Sequence, residues 1–253
     1  MNMKTKLLSL LAAGSFILLT TACEKGDKKD DTAQTAEPSS PTPQVKGAQG
    51  YLVAVSTATQ VSAPIVGTYT QFLGTAVGSF KTSSAEGVNA GTITCEGKTL
   101  KYENGAYVFM PSASELSIDF TGDIDWKVKG QGDVPAITYA YKRGMPEIGA
   151  LTAGSEVDVS ADLTFGVDLN NTYTSLSSAD SVMLWVHGPK KSISKTVAAS
   201  VAKATFTSDE LKETGTGEGY LQAAAYNYGL TTVSGYKVAF VNEGVFTSAT
   251  KFK

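Results

Sequence analysis

Gly91-Thr92-Ile93-Thr94-Cys95-Glu96-Gly97-Lys98-Thr99-Leu100-Lys101-Tyr102-Glu103-Asn104-Gly105-Ala106-Tyr107-Val108-Phe109-Met110 is the stretch that decides the fold class. Asn-Gly supplies the two positive φ angles that a type I′ turn requires, so Asn104-Gly105 predicts a tight hairpin. Glu96-Gly97 repeats the idea with a less favourable first residue. Three short antiparallel strands in a meander follow from these two turns.

The same period continues downstream. Ile118, Phe120, Ile124, Trp126 and Val128 share one parity and Asp119, Thr121, Asp123, Asp125 and Lys127 the other, which places them on opposite faces of a strand. Gly122 interrupts the apolar set and marks a bulge. Val157, Val159, Ala161, Leu163, Phe165, Val167 and Leu169 alternate more cleanly still and predict one long half-buried strand. Further strands are expected at Ile137–Lys142, Ser181–Val186, Val197–Phe206, Tyr220–Tyr228 and Tyr236–Val241. Thr207-Ser208-Asp209-Glu210-Leu211 has an N-cap pattern and is expected to open a single helical turn. Turn formers cluster at Gly144-Met145-Pro146, where a domain boundary is expected. The chain therefore reads as all-β: two tandem antiparallel β-sandwiches of immunoglobulin-like or fibronectin-like class, residues 51–143 and 144–253.

Ahead of these lies a different composition. From Thr32 to Gly50 the chain carries Pro38, Pro41 and Pro43 among Ser, Thr, Gln and Ala, with Val45 the only sizeable apolar residue. Such a segment buries too little surface to offset its ordering entropy, and residues 23–50 are expected to form a disordered tether. The first 22 residues have a basic start (Lys4, Lys6), an apolar run from Leu7 to Leu19, and small residues before Cys23. A run of that length is short for roughly 30 Å of hydrocarbon, which favours cleavage over a transmembrane anchor.

Thr20-Thr21-Ala22-Cys23 resembles a bacterial lipobox, with Thr20 where leucine is most usual. The resemblance implies a signal peptide over 1–22 and acylation of Cys23, with palmitate-like chains anchoring the protein to a membrane. More than one acyl chain gives stable anchoring. Lys29-Asp30-Asp31, shortly after the cysteine, resembles the export signal of Bacteroidota surface lipoproteins and implies display on the outer face of the outer membrane. Asp31-Thr32-Ala33 is similar to the short O-glycosylation acceptor of the same bacteria. No family resemblance extends beyond Ala33.

Charge narrows the partners. The chain has 21 Lys+Arg and 24 Asp+Glu, and loss of Lys4 and Lys6 leaves 19 against 24, about -5. A mildly acidic exterior argues against nucleic acid, whose phosphates need a basic face. With Cys23 acylated, Cys95 has no disulfide partner and reads as a small core residue.

Residues suited to catalysis are few. His187 is the single histidine and the one candidate base for a serine or cysteine hydrolase, yet no Gly-x-Ser-x-Gly elbow accompanies it. Zinc sites need several His or Cys ligands, and no phosphate loop or dinucleotide fingerprint is present. Asp119, Asp123 and Asp125 could offer oxygens to calcium, but a strand spreads them over about 20 Å and a solvated face is the better reading. No enzymatic activity, metal or cofactor is expected. Aromatic pairs offer binding instead: Tyr139 with Tyr141 share one strand face and Tyr226 with Tyr228 another, both pairs read first as cover of a sandwich core or domain junction, with Tyr226 and Tyr228 the candidate ligand-binding residues because a glycine and a strand end follow. The expected function is that of a non-catalytic outer-membrane lipoprotein that binds an envelope protein partner or an extracellular ligand. The alternative is a glycan-binding accessory protein using exposed tyrosines; a hydrolase, needing His187 or a close carboxylate pair in a pocket, ranks below both.

Overall fold

A computed structural model describes residues 45–63 and 67–253. In chain order its strands are β1 (Gly50–Ala63), β2 (Gly67–Phe80), β3 (Ile93–Cys95), β4 (Lys98–Glu103), β5 (Ala106–Val108), β6 (Ile124–Val128), β7 (Ile137–Tyr141), β8 (Glu156–Val157), β9 (Leu163–Gly166), β10 (Ser181–His187), β11 (Ser192–Ala198) and β12 (Lys203–Phe206). A helix, α1 (Ser208–Thr214), then precedes two long strands, β13 (Gly217–Val233) and β14 (Tyr236–Phe252). The described residues are mostly β: a large mixed sheet in the order β11-β10-β13-β14-β1-β2-β5-β4-β3-β6-β7, with β8 beside the end of β14, and a small sheet of β9 and β12.

The hairpin chemistry read from the sequence is present. Glu96 and Gly97 have φ of 49° and 73°, Asn104 and Gly105 49° and 81°, so both turns use paired positive φ values. Ser234 and Gly235 do the same (50° and 84°) and close β13 onto β14. The helix also forms where its cap stands. Thr207 accepts from the Glu210 amide while the Glu210 carboxylate accepts from the Thr207 amide, so two otherwise orphaned donors are satisfied reciprocally.

Three expectations change. The Val157–Leu169 alternation is two short strands, not one, because Asp158 turns the chain: its carboxylate accepts from both the amide (2.8 Å) and the hydroxyl (2.7 Å) of Ser160. Val197–Phe206 likewise splits into β11 and β12 around Ala202, whose φ is 52°. Residues 45–49, expected in the tether, belong to the folded part. Val45 donates its amide to, and accepts from, the Tyr51 hydroxyl, and the Gln49 amide donates to the Lys237 carbonyl, extending a ladder.

The sheet is not wholly antiparallel. β1 runs antiparallel to β2 and parallel to β14, from Gly50↔Val238 to Ala58↔Phe246, so backbone pairing passes without a break from one half of the chain to the other. Side chains nevertheless form two main cores, beside a small cluster of Val53, Tyr226 and Val241. One gathers Leu52, Ile93, Cys95, Tyr107, Trp126 and Ile137 with Val238 and Phe240 of β14. The second gathers Val157, Phe165, Leu184, Phe206, Leu211 and Leu221 with Ala58 of β1. Each of the segments 51–143 and 144–253 supplies most of one core, and β1 and β14 contribute to both.

Candidate functional site

The segment from Arg143 to Glu147 crosses the sheet between the two cores, and its close approach dictates small residues beneath it. A β-carbon on Gly244 would lie 1.9 Å from the Pro146 carbonyl oxygen, so no larger residue fits there. Asn227 and Asn242, both fully buried, hold the same segment from below. Asn227 Nδ2 donates to the Gly144 carbonyl at 3.0 Å, and Asn242 Nδ2 donates to the Arg143 carbonyl. The Oδ1 atoms of the two asparagines have no partner among the described residues. Arg143 reaches outward to Asp180 with two bonds of 2.8 Å and to the Ser178 carbonyl at 2.7 Å. This fork holds the Asp180 carboxyl below the usual carboxylate range.

Beside the crossing lies a cleft of about 370 Å³, between the two cores. Phe72, Phe120 and Met145 provide apolar walls; Ser56, Asp119 and Glu147 provide polar ones. Burial pushes the Glu147 carboxyl up from the ordinary carboxylate range. Ser56 is 6 % exposed and belongs to β1, so its position is fixed by pairing on both sides. A second cleft, of about 500 Å³, lies over Asn89, Tyr102 and Lys129. Neither concavity was legible in the sequence, because each is lined from separate segments (Asn89, Tyr102 and Lys129 in one, Ser56, Phe72, Phe120 and Met145 in the other) that only the folded sheet brings together.

The two tyrosines singled out from the sequence separate. Tyr226 is 4 % exposed and packs with Val53 and Val241, whereas Tyr228 is 43 % exposed. Tyr226 is therefore corrected from an exposed binding residue to a packing residue, and the pair forms no shared platform. The reason is position along the strand. Tyr226 lies where β10 still flanks β13, its partner there being Ser181, and Tyr228 lies beyond the end of β10. Tyr139 and Tyr141 pack into the first core, both stacked on Phe240 at 4.4 and 5.9 Å.

His187 ends β10. Its Nδ1 lies 2.8 Å from Ser192 Oγ across the β10–β11 hairpin, its ring stacks on Tyr220 at 4.2 Å, and burial pushes its pKa down. Neither cleft includes it. Cys95 is buried in the first core, and burial pushes its thiol well up. Asp119, Asp123 and Asp125 are exposed, and no group of three or more His, Cys, Asp or Glu converges on a metal-sized site among the described residues. Cys23, Lys29-Asp30-Asp31 and Asp31-Thr32-Ala33 lie outside the described residues. No described helix is long and apolar enough to cross a membrane.

No family model and no curated protein matches the chain. Among solved structures it is similar to a chain described under "Structural insight into host cell surface retention of a 1.5-MDa bacterial ice-binding adhesin". Identity is 13 %, 79 % of this chain and 65 % of that one are covered, and the TM-score is 0.24. A likeness of that size carries no argument about function.

Proposed function

We propose that the protein is a non-catalytic outer-membrane lipoprotein, anchored through acylated Cys23 and displayed at the cell surface, that binds an envelope protein partner or an extracellular ligand. What supports the anchor is the Leu7–Cys23 leader, and what supports display is Lys29-Asp30-Asp31. The observation that carries the binding reading is the cleft between the two cores, where aromatic and aliphatic walls meet a protonatable, half-buried glutamate. In this reading segments 51–143 and 144–253 are two sandwich-like modules that share β1 and β14, and the cleft is the seam between them.

A glycan is the second reading, favoured by the same cleft rather than by the tyrosine pair: rings at Phe72 and Phe120 offer apolar faces to a sugar, and Ser56, Asp119 and Glu147 offer hydrogen bonds. Affinity recovery from mildly crosslinked cells, with Cys23→Ala as control, separates the two. One envelope protein recovered with the anchored form and weakened by Phe120→Ala would support the partner reading. Polysaccharide retention that Phe120→Ala abolishes would support the glycan reading. Recovery indifferent to changes in the cleft would overturn both.

A further inference from the structure

β1 and β14 bury one face in the two main cores, through Leu52, Ala54 and Ala58 and through Val238, Phe240 and Phe246. Their alternate residues turn to the opposite face. There Val53, Tyr226 and Val241 cluster with Tyr51, Val55 and Met183, and no element beyond β1, β10, β13 and β14 supplies a packing residue. The centre of this face is nevertheless dry. Val241 is 0 % exposed, and Glu243, whose strand neighbours are Tyr226 and Val55, is buried beside it. The rim is wet, with Tyr228 and Thr247 exposed.

The chain ahead of β1 is aimed at that centre. Residues 45–48 make a reverse turn, in which the Val45 carbonyl accepts from the Ala48 amide at 3.1 Å and Gly47 has a φ of 83°. The Tyr51 hydroxyl then clasps Val45, accepting from its amide at 3.1 Å and donating to its carbonyl at 3.0 Å. Tyr51 shares the face of Val53 and Val55, so the reversal delivers residue 44 onto that face, heading back along β1.

The geometry points to residues 38–44 of this chain as the occupant of that face, a strap packed over Val53, Val55, Tyr226 and Glu243. The sequence there, Pro38-Ser39-Ser40-Pro41-Thr42-Pro43-Gln44, fits the surface. Pro38 and Pro41 are spaced to share one edge of a polyproline II helix, a form that docks on aromatic surfaces at low ordering cost. The segment carries no charge to strand beside a buried carboxyl, and the hydroxyls of Ser39, Ser40 and Thr42 are donors for Glu243. Its reach matches as well. Val55 lies about 13 Å along β1 from Tyr51, a span that four or five residues of polyproline II cover, which brings Ser40 or Pro41 to Glu243. The strap depends neither on the cleft nor on the membrane anchor.

The test is crosslinking within the full chain carrying Cys23→Ala, where the native thiol of Cys95 is buried. Ser40→Cys with Val55→Cys, treated with a short bismaleimide, gives an intramolecular link between the peptides carrying residues 40 and 55, read by mass spectrometry. Leu230→Cys is the control partner for Ser40→Cys. It is exposed and stands level with Tyr51 across β14, within reach of residue 40 on an undocked chain. On a docked strap it gives less than about one fifth as much link. Pro41→Asp with Pro43→Asp removes two rings and brings carboxylates to Glu243, and lowers the link to residue 55 about tenfold. Equal links to residues 55 and 230, indifference to the aspartates, a link between two copies instead of within one, or no link at all would each overturn the proposal. Protease resistance of every variant beyond residue 50, measured alongside, shows that the fold is retained.

Discussion

Asn227 on β13 and Asn242 on β14 stand directly opposite each other, and both donate to one short stretch of backbone, Arg143–Gly144. Removing either amide leaves a carbonyl of the crossing segment without its donor. Asn227→Ala or Asn242→Ala is expected to cost about 1–3 kcal/mol, read as a lower urea midpoint with an unchanged slope. The double variant should cost less than the sum, since both act on the same segment. Strict additivity would mean that the asparagines act independently.

Glycine at 244 is required by proximity, not by backbone conformation. Gly244→Ala is expected to destabilise by about 3 kcal/mol or to prevent folding, because the new methyl meets the Pro146 carbonyl. Gly144→Ala, two residues before that proline with open space around it, is the control and should change stability by less than about 0.5 kcal/mol. Thermal unfolding of the two variants side by side decides the matter.

Glu243 is 5 % exposed, and burial pushes its carboxyl up to about 7. An acid whose folded value is raised binds more protons folded than unfolded, so its contribution is most favourable below the ordinary value of 4.5. Stability is then lost as pH rises toward 7, by about 1.4 kcal/mol per unit and on the order of 3 kcal/mol in all. Glu243→Gln should remove that slope. Urea midpoints for both proteins from pH 4.5 to 8 are the check, and parallel curves would refute the assignment.

Tyr226→Ala and Tyr228→Ala should differ sharply. The first empties a packed position and is expected to cost about 3 kcal/mol. The second removes a half-exposed ring and should cost less than about 1 kcal/mol. Equal midpoints would show that Tyr226 is not a packing residue.

Thr207→Ala deletes the cap of α1 and is expected to cost about 1 kcal/mol, whereas Thr207→Ser should be nearly neutral. Denaturant unfolding of the two variants resolves a difference of that size.

Local chemistry was legible in the sequence wherever a single residue type dictates geometry. Asn104-Gly105 made its turn, Thr207 made its cap, and the alternation of Ile124, Trp126 and Val128 made one buried face. Periodicity misled at Val157–Leu169, because Asp158 can turn the chain without disturbing the apolar spacing. The hairpin of β1 and β2 was not seen at all: Ala54, Gly74, Ala76 and Gly78 carry too little apolar bulk to mark a strand, yet they lie under close cover. The parallel join of β1 to β14 spans nearly the whole chain and leaves no local trace. For the same reason the cleft was invisible, and the Tyr226–Tyr228 pair looked like one surface when the end of β10 divides it.

That join also decides how the molecule answers a pull. Tension arriving through the chain ahead of Gly50 acts along the axis of β1, which is bonded to β14 on one side and to β2 over its full length on the other. Neither ladder can be peeled open one rung at a time from that direction; the strand must slide past both neighbours together. A load directed along β1 in that way meets both ladders in shear, and the lifetime of the fold under it follows the unfolding rate rather than the equilibrium stability.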